Sequence, residues 1–237
     1  MNSTIEHPLF GAVTLCRPER SRRISIAVKP TGEIRLSFPR GVSQKEALAF
    51  LDSKAEWIAK AKAKIAAKVP PKKEITMPFA TRSHSLSLNP ASTLRVSAKV
   101  GDGQIVVTYP ADKNCSDEDV QQMIRWGIEK AWEIEAKALL PGRLAELSKR
   151  AGLSYHSVAV RNTKSRWGSC SSRNDISLSL HLMRLPDELV DYILLHELCH
   201  IAHKNHSADF YRLLDRLTGG RHATLQREMK KYNTLWN

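Results

Sequence analysis

The sequence predicts an α+β fold, with an N-terminal half of β-hairpins and helices and a C-terminal half organised round one buried helix. Three observations predict it. Short runs of alternating apolar residues, bounded by turn residues, recur at 24–28, 34–38, 94–98 and 105–109. Helical patterns with recognisable starts follow Ser43, Ser116 and Pro186. The composition, 42% hydrophobic and 26% charged over 237 residues, suits a folded chain with room for one large domain or two small ones.

Taken in order, residues 24–28 and 34–38 alternate with period two about the turn at 29–33, which reads as a hairpin. Pro39 stops it, and Ser43 caps a helix with apolar positions at Leu48, Leu51, Ala55, Ile58 and Ile65. The segment 69–73, Val-Pro-Pro-Lys-Lys, breaks that pattern. The same order then returns about 71 residues later. A strand at 94–98, a turn at 100–103, a strand at 105–109, Pro110 and a helix capped near Ser116 suggest an internal duplication of strand, hairpin and helix. From Asp117 a long helix runs towards Arg150, interrupted or bent at Pro141-Gly142. Short strands at 158–160 and 176–180 flank a polar loop. Pro186, Asp187 and Glu188 open a helix that is apolar on nearly every side up to Ala202, so it is buried. Helices near 207–217 and 222–235 close the chain.

The net charge of +13 is unevenly spread. Residues 1–115 carry 19 Lys and Arg against 9 Asp and Glu, while 116–237 carry 18 against 15 and hold seven of the nine histidines. This divides the chain into a basic N-terminal β-rich domain, 1–115, and a C-terminal domain, 116–237, that holds the metal-ligand types. The basic half offers a surface for nucleic acid or a nucleotide, or only a solvated face. The four cysteines are scattered, and neither a leader nor a membrane-spanning run is evident, so a reduced cytoplasmic protein is expected.

Three residues of the buried helix demand compensation. His196, Glu197 and His200 form a His-Glu-x-x-His run, and an unpaired carboxylate in apolar surroundings is costly. Histidines four apart lie on one helical face, where both reach one Zn²⁺, while the neighbouring carboxylate touches the metal-bound water as a base. A third ligand is needed. His206 is favoured, because Lys204-Asn205 suits a helix end that lets the chain turn back. His203, on the same helical face, and Glu228 are the alternatives. Upstream, Arg161 and Arg166 can bind an anionic group, and Trp167 either meets substrate or packs over the core.

At these residues the chain resembles the YgjP-like (DUF45) metallopeptidase family, related to SprT- and WLM-type zincins. The resemblance rests on Arg166-Trp-Gly-Ser-Cys170, Ile176-Ser-Leu178, Asp191-Tyr192, His196-Glu-Leu-Cys-His200, Asn205-His206-Ser207 and Phe210, with Arg22 to Ile26 and Glu56-Trp-Ile58 further upstream. It implies a zincin-like C-terminal domain with an active-site helix, a backing helix and a small sheet whose edge pairs with an extended peptide. It also implies His196, His200 and His206 as zinc ligands, Glu197 as catalytic base and a peptide or protein substrate. Ser179, His181 and Tyr211 depart from the family's usual residues, which puts a substrate contact through Ser179 in question. Two other functions compete with peptide hydrolysis: hydrolysis of a nucleotide or other phosphoanhydride at the same metal, and a nucleic-acid-associated module with a structural zinc.

Overall fold

The computed structural model describes residues 2–19, 21–29, 32–66 and 73–236. They form two units, which divide between Lys72 and Lys73. The compositional break at residue 115 therefore falls inside the second unit, between a strand and a helix that share one core. The break in the helical pattern expected at 69–73 lies outside the described residues except for Lys73.

In the first unit, β1 (Asn2–His7), β2 (Gly11–Cys16), β3 (Ser25–Val28) and β4 (Ile34–Ser37) make a sheet in the order β1-β2-β4-β3. β3 and β4 form the expected hairpin, with Val28 opposite Ile34; of its turn, Pro30 and Thr31 lie outside the described residues. Alternation puts Val13, Leu15, Ile34 and Leu36 on one face, where α1 (Gln44–Asp52) and α2 (Ala55–Ala66) cover them with Ala47, Leu51 and Ile58. Ser43 caps α1 in a complete capping box with Glu46. Sequence reasoning expects one helix here; the chain instead breaks at Ser53, whose hydroxyl donates to the Phe50 carbonyl at 2.7 Å. Local side-chain bonding to the backbone competes with helix propagation in this way.

The second unit begins with β5 (Ser85–Ala91), β6 (Ser97–Gly101) and β7 (Gln104–Pro110), in the order β5-β7-β6. The turn between β6 and β7 sits at Asp102 and Gly103, both with positive φ, as the two-residue hairpin requires. α3 (Glu118–Ala151) follows, 34 residues, or about 50 Å, of continuous helix. The interruption expected at Pro141 is not present: helix runs through it and ends in a left-handed Gly152. A third sheet follows, with β8 (Ser157–Arg161), β9 (Gly168–Cys170) and β10 (Asp175–Ser179) in the order β8-β10-β9. β9 corrects the sequence reading, which leaves 166–170 as loop. Three residues including Gly and Ser carry too little β signal; pairing with β10 supplies it. A 3-10 turn (Leu180–Arg184) leads into α4 (Asp187–Ala202), then α5 (Ala208–Leu217) and α6 (His222–Met229), which ends six residues earlier than expected.

Among the described residues one pattern recurs in each sheet: β2, β5 and β8 run parallel to β4, β7 and β10, and β3, β6 and β9 join the latter as antiparallel edges, with β1 an additional antiparallel strand on β2. No helix among the described residues is long and apolar enough to cross a membrane.

α3 is the spine of the second unit, packing on β6, β7, β8 and α4. Gly127 packs tightly against the sheet, and a Cβ there would lie 2.7 Å from Ile105 Cγ2. Gly127→Val is expected to cost about 1–3 kcal/mol by overpacking, although Val suits a helix better than Gly does. A lowered denaturant midpoint with unchanged slope would verify it, and an unchanged midpoint would refute it.

Candidate active site

α4 is buried on most sides, with Leu189, Val190, Leu194, Leu195 and Leu198 in the core. Two clamps fix it. Arg143 of α3 grips Asp191 with two bonds, Nε to Oδ1 at 2.7 Å and Nη2 to Oδ2 at 2.5 Å. Arg82 donates to the carbonyls of Met183 (3.2 Å) and Leu185 (2.6 Å) and pairs with Asp187, holding the helix start. Bidentate, charge-assisted contacts of this kind fix orientation as well as adding energy.

On this helix His196 and His200 face His206, which lies beyond the helix end. α4 stops at Ala202, His203 is extended, and α5 restarts at the Ser207 cap. The side-chain nitrogens of His196, His200 and His206 lie within 4.8 Å of one another, with the Nε2 atoms of His196 and His206 at 3.1 Å. Phe210 gathers them: its ring, fully buried, stands 4.9, 4.7 and 4.7 Å from the rings of His196, His200 and His206. The two other candidates are elsewhere engaged. Glu228 pairs with Lys231. His203 acts through its backbone, its carbonyl facing His200 Nδ1 at 3.1 Å. A carbonyl only accepts, so Nδ1 of His200 carries the proton and Nε2 keeps its lone pair.

The chemistry of this set fits a divalent metal. Burial, aided by the neighbouring histidines, pushes His196 down to about 4 and lowers His200. Both imidazoles are therefore neutral, as a ligand must be. Glu197 points the other way, its carboxyl 5% exposed and pushed up to about 7 by burial, partly offset by the Arg166 guanidinium. Its Oε2 is buried without a hydrogen-bond partner among the described residues. Gly168 explains how it fits: a Cβ there would lie 2.7 Å from Glu197 Cγ and Oε1. A cleft of about 380 Å³ opens here between Trp167, Gly168, Tyr192, Glu197 and Met229.

The family model for the YgjP-like metallopeptidase domain matches residues 22–232. The chain belongs to the YgjP-like metallopeptidase family. The family is one of hydrolases whose reaction needs a bound metal. Among solved structures the chain is similar to the metallopeptidase zymogen of Pyrococcus abyssi abylysin, at 26% identity, 39% of this chain and 94% of that one, with a TM-score of 0.35. It is also similar to the zymogen of Methanocaldococcus jannaschii jannalysin, at 20% identity, 38% of this chain and 93% of that one, with the same TM-score. No curated protein matches it.

The other residues singled out from sequence separate into two groups. Arg166 and Trp167 line the cleft beside Glu197, and Trp167 also packs against the core. Ser179 is 1% exposed and its hydroxyl is spent, donating to the Thr163 carbonyl at 2.7 Å and accepting from His181 N–H at 3.3 Å. It shapes the loop. Arg161, at the end of β8, faces the outer side of the sheet. Phe210 was visible in sequence only as part of a motif, and its ring contacts to three histidines carry no sequence period.

Replacing Phe210 by Leu keeps an apolar floor but removes the shared ring contact. Divalent-metal affinity of Phe210→Leu is expected to fall about 10–100-fold, the scale of losing a supporting contact at a metal site. Chelator competition on protein with native circular dichroism measures it; full affinity would show that the triad holds itself.

Proposed function

We propose that the protein is a zinc-dependent peptidase, with His196, His200 and His206 as the metal ligands and Glu197 as the general base. One observation carries the proposal: three imidazoles converge beside a buried carboxylate that has a free oxygen. Three histidine ligands would suit a catalytic rather than a structural zinc, since a structural site closes with a fourth protein ligand. Zinc bound there supplies a Lewis acid that polarises the scissile carbonyl and lowers the pKa of the attacking water. Glu197 takes a proton from that water as its oxygen bonds to the carbonyl carbon. The carboxyl then delivers the proton to the departing nitrogen as the C–N bond breaks. A carboxyl group buried against β9 suits both halves of this exchange, since burial raises its affinity for the proton.

The backbone of β9 supports the choice of an extended peptide as substrate. Ser179 N–H donates to the Trp167 carbonyl at 2.8 Å and Ser171 N–H to the Asp175 carbonyl at 2.9 Å. By the alternation of an antiparallel ladder, residues 167, 169 and 171 turn their backbone groups to β10. Gly168 and Cys170 turn theirs to the opposite edge, which has no strand among the described residues. That edge runs past Glu197, so a peptide added to it brings its carbonyls to the proposed metal.

Zinc-loaded protein is expected to cleave peptides, and Glu197→Gln is expected to lose about 10²–10⁴ in kcat while still binding one zinc. His206→Ala should lose the metal itself, as counted by elemental analysis. Peptide turnover untouched by Glu197→Gln would sink the proposal. Gly168→Ala tests the β9 contact separately: its methyl displaces Glu197, so kcat should drop at least about tenfold with zinc occupancy unchanged.

A further inference from the structure

The third sheet has a second surface that the proposed mechanism does not use. On the face turned away from α4, Ser157, Ala159 and Arg161 of β8, Ser177 of β10 and Ser169 of β9 line a groove of about 570 Å³. Arg166, Ser171, Arg173 and Asp175 complete its rim. Three guanidiniums thus face one carboxylate, within a half of the chain whose charges nearly balance.

That carboxylate is already engaged. Asp175 accepts from the hydroxyls of Ser157 at 2.7 Å and Ser171 at 3.0 Å and lies 2.6 Å from His156 Nδ1. These partners, His156 foremost, hold it well below the usual carboxylate range. Arg173 Nε stands 3.6 Å from it, which leaves most of that guanidinium's donors free. The guanidiniums of Arg161 and Arg166 have no ion-pair or hydrogen-bond partner among the described residues, and the hydroxyls of Ser169 and Ser177 have none either. Isolated arginines in that condition are an ordinary feature of a surface. Here they converge with free hydroxyl donors in one concavity, the donor set that oxyanions require.

The groove also continues into the chemistry. Arg166 borders both it and the cleft of Glu197, and Ser169 and Cys170 of the β9 edge line it. A chain laid along that edge turns every second side chain to this face. We infer that the groove is an oxyanion subsite of the active site, which selects substrates bearing carboxylate or phosphate groups next to the bond to be cut. The inference rests on the peptidase reading for its placement of the substrate, while anion binding is measurable without turnover.

The test uses full-length, zinc-loaded Glu197→Gln protein and fluorescein-labelled ten-residue peptides in an anisotropy titration. One peptide is neutral, one carries four glutamates, and one carries phosphoserine at the same positions. The charged peptides are expected to bind at least about tenfold tighter than the neutral one at low salt, with the advantage shrinking as salt rises. Arg161→Glu/Arg166→Glu, and the milder Arg161→Gln/Arg166→Gln, should each abolish that advantage. Lys99→Glu on β6, which loses as much charge as the glutamine pair but on another sheet, should retain it. A preference for the phosphoserine peptide that ATP competes away assigns the groove to phosphate; a glutamate preference indifferent to ATP assigns it to carboxylates. Equal binding of charged and neutral peptides, or an advantage that survives both arginine pairs, overturns the inference. In that event, cleavage of the neutral peptide by the unmodified enzyme leaves the peptidase reading standing. Selective anion binding without cleavage of any peptide leaves the groove standing and removes the peptidase reading.

Discussion

The burial of Glu197 between α4 and β9 is the constraint on which the second unit depends. A carboxyl group with an unpartnered oxygen in a nearly closed setting is unfavourable by itself, on the order of a few kcal/mol. It persists because the surroundings are fixed from several directions. Arg143 and Arg82 anchor α4 in its second turn and at its start, β10 holds β9, and Gly168 removes the one Cβ that would expel the carboxyl. Relaxing any one of these would let Glu197 swing into water and recover its hydration. The stability of the core is thus spent on holding a group in the state that chemistry needs.

Regular periodicity made much of this legible. The hairpin at β3–β4, the capped α1, the buried α4 and the pair His196 and His200 all follow from spacing and end signals, because each is decided by residues close in sequence. What escaped was decided by pairing and packing rather than by local spacing. β9 is a strand only because β10 pairs with it and α4 lies beneath it. Pro141 stays inside a helix because α3 is held along its length by the core, where Leu140 and Leu144 are fully buried. Ser179 is an N-cap and a loop tie, roles that depend on Thr163 sixteen residues away.

The repeated sheet topology gives the site its geometry. Each three-stranded sheet places its third strand in the centre and leaves the second as an edge. In the third sheet that edge is β9, so the arrangement delivers an unpaired backbone beside the helix that bears Glu197. A sheet with β9 in the middle would have satisfied its backbone internally and left an extended substrate nothing to pair with.

β9 therefore divides two jobs between its two faces. The face toward α4 is constrained atom by atom: Gly168 against Glu197 admits no side chain, and the three imidazoles share one phenyl ring. The outer face, with Arg161, Arg166, Arg173 and free serine hydroxyls, is exposed and its side chains are replaceable without disturbing the core. Chemistry is thus fixed by packing, while preference is set by charges that packing does not see. Arg166 is where the two meet, since its guanidinium both borders the groove and acts on the buried carboxyl. An anion bound at Arg166 would draw that positive charge away from Glu197 and strengthen the carboxyl's hold on a proton. On that argument a charged substrate would itself shift the proton affinity of Glu197, the base we propose.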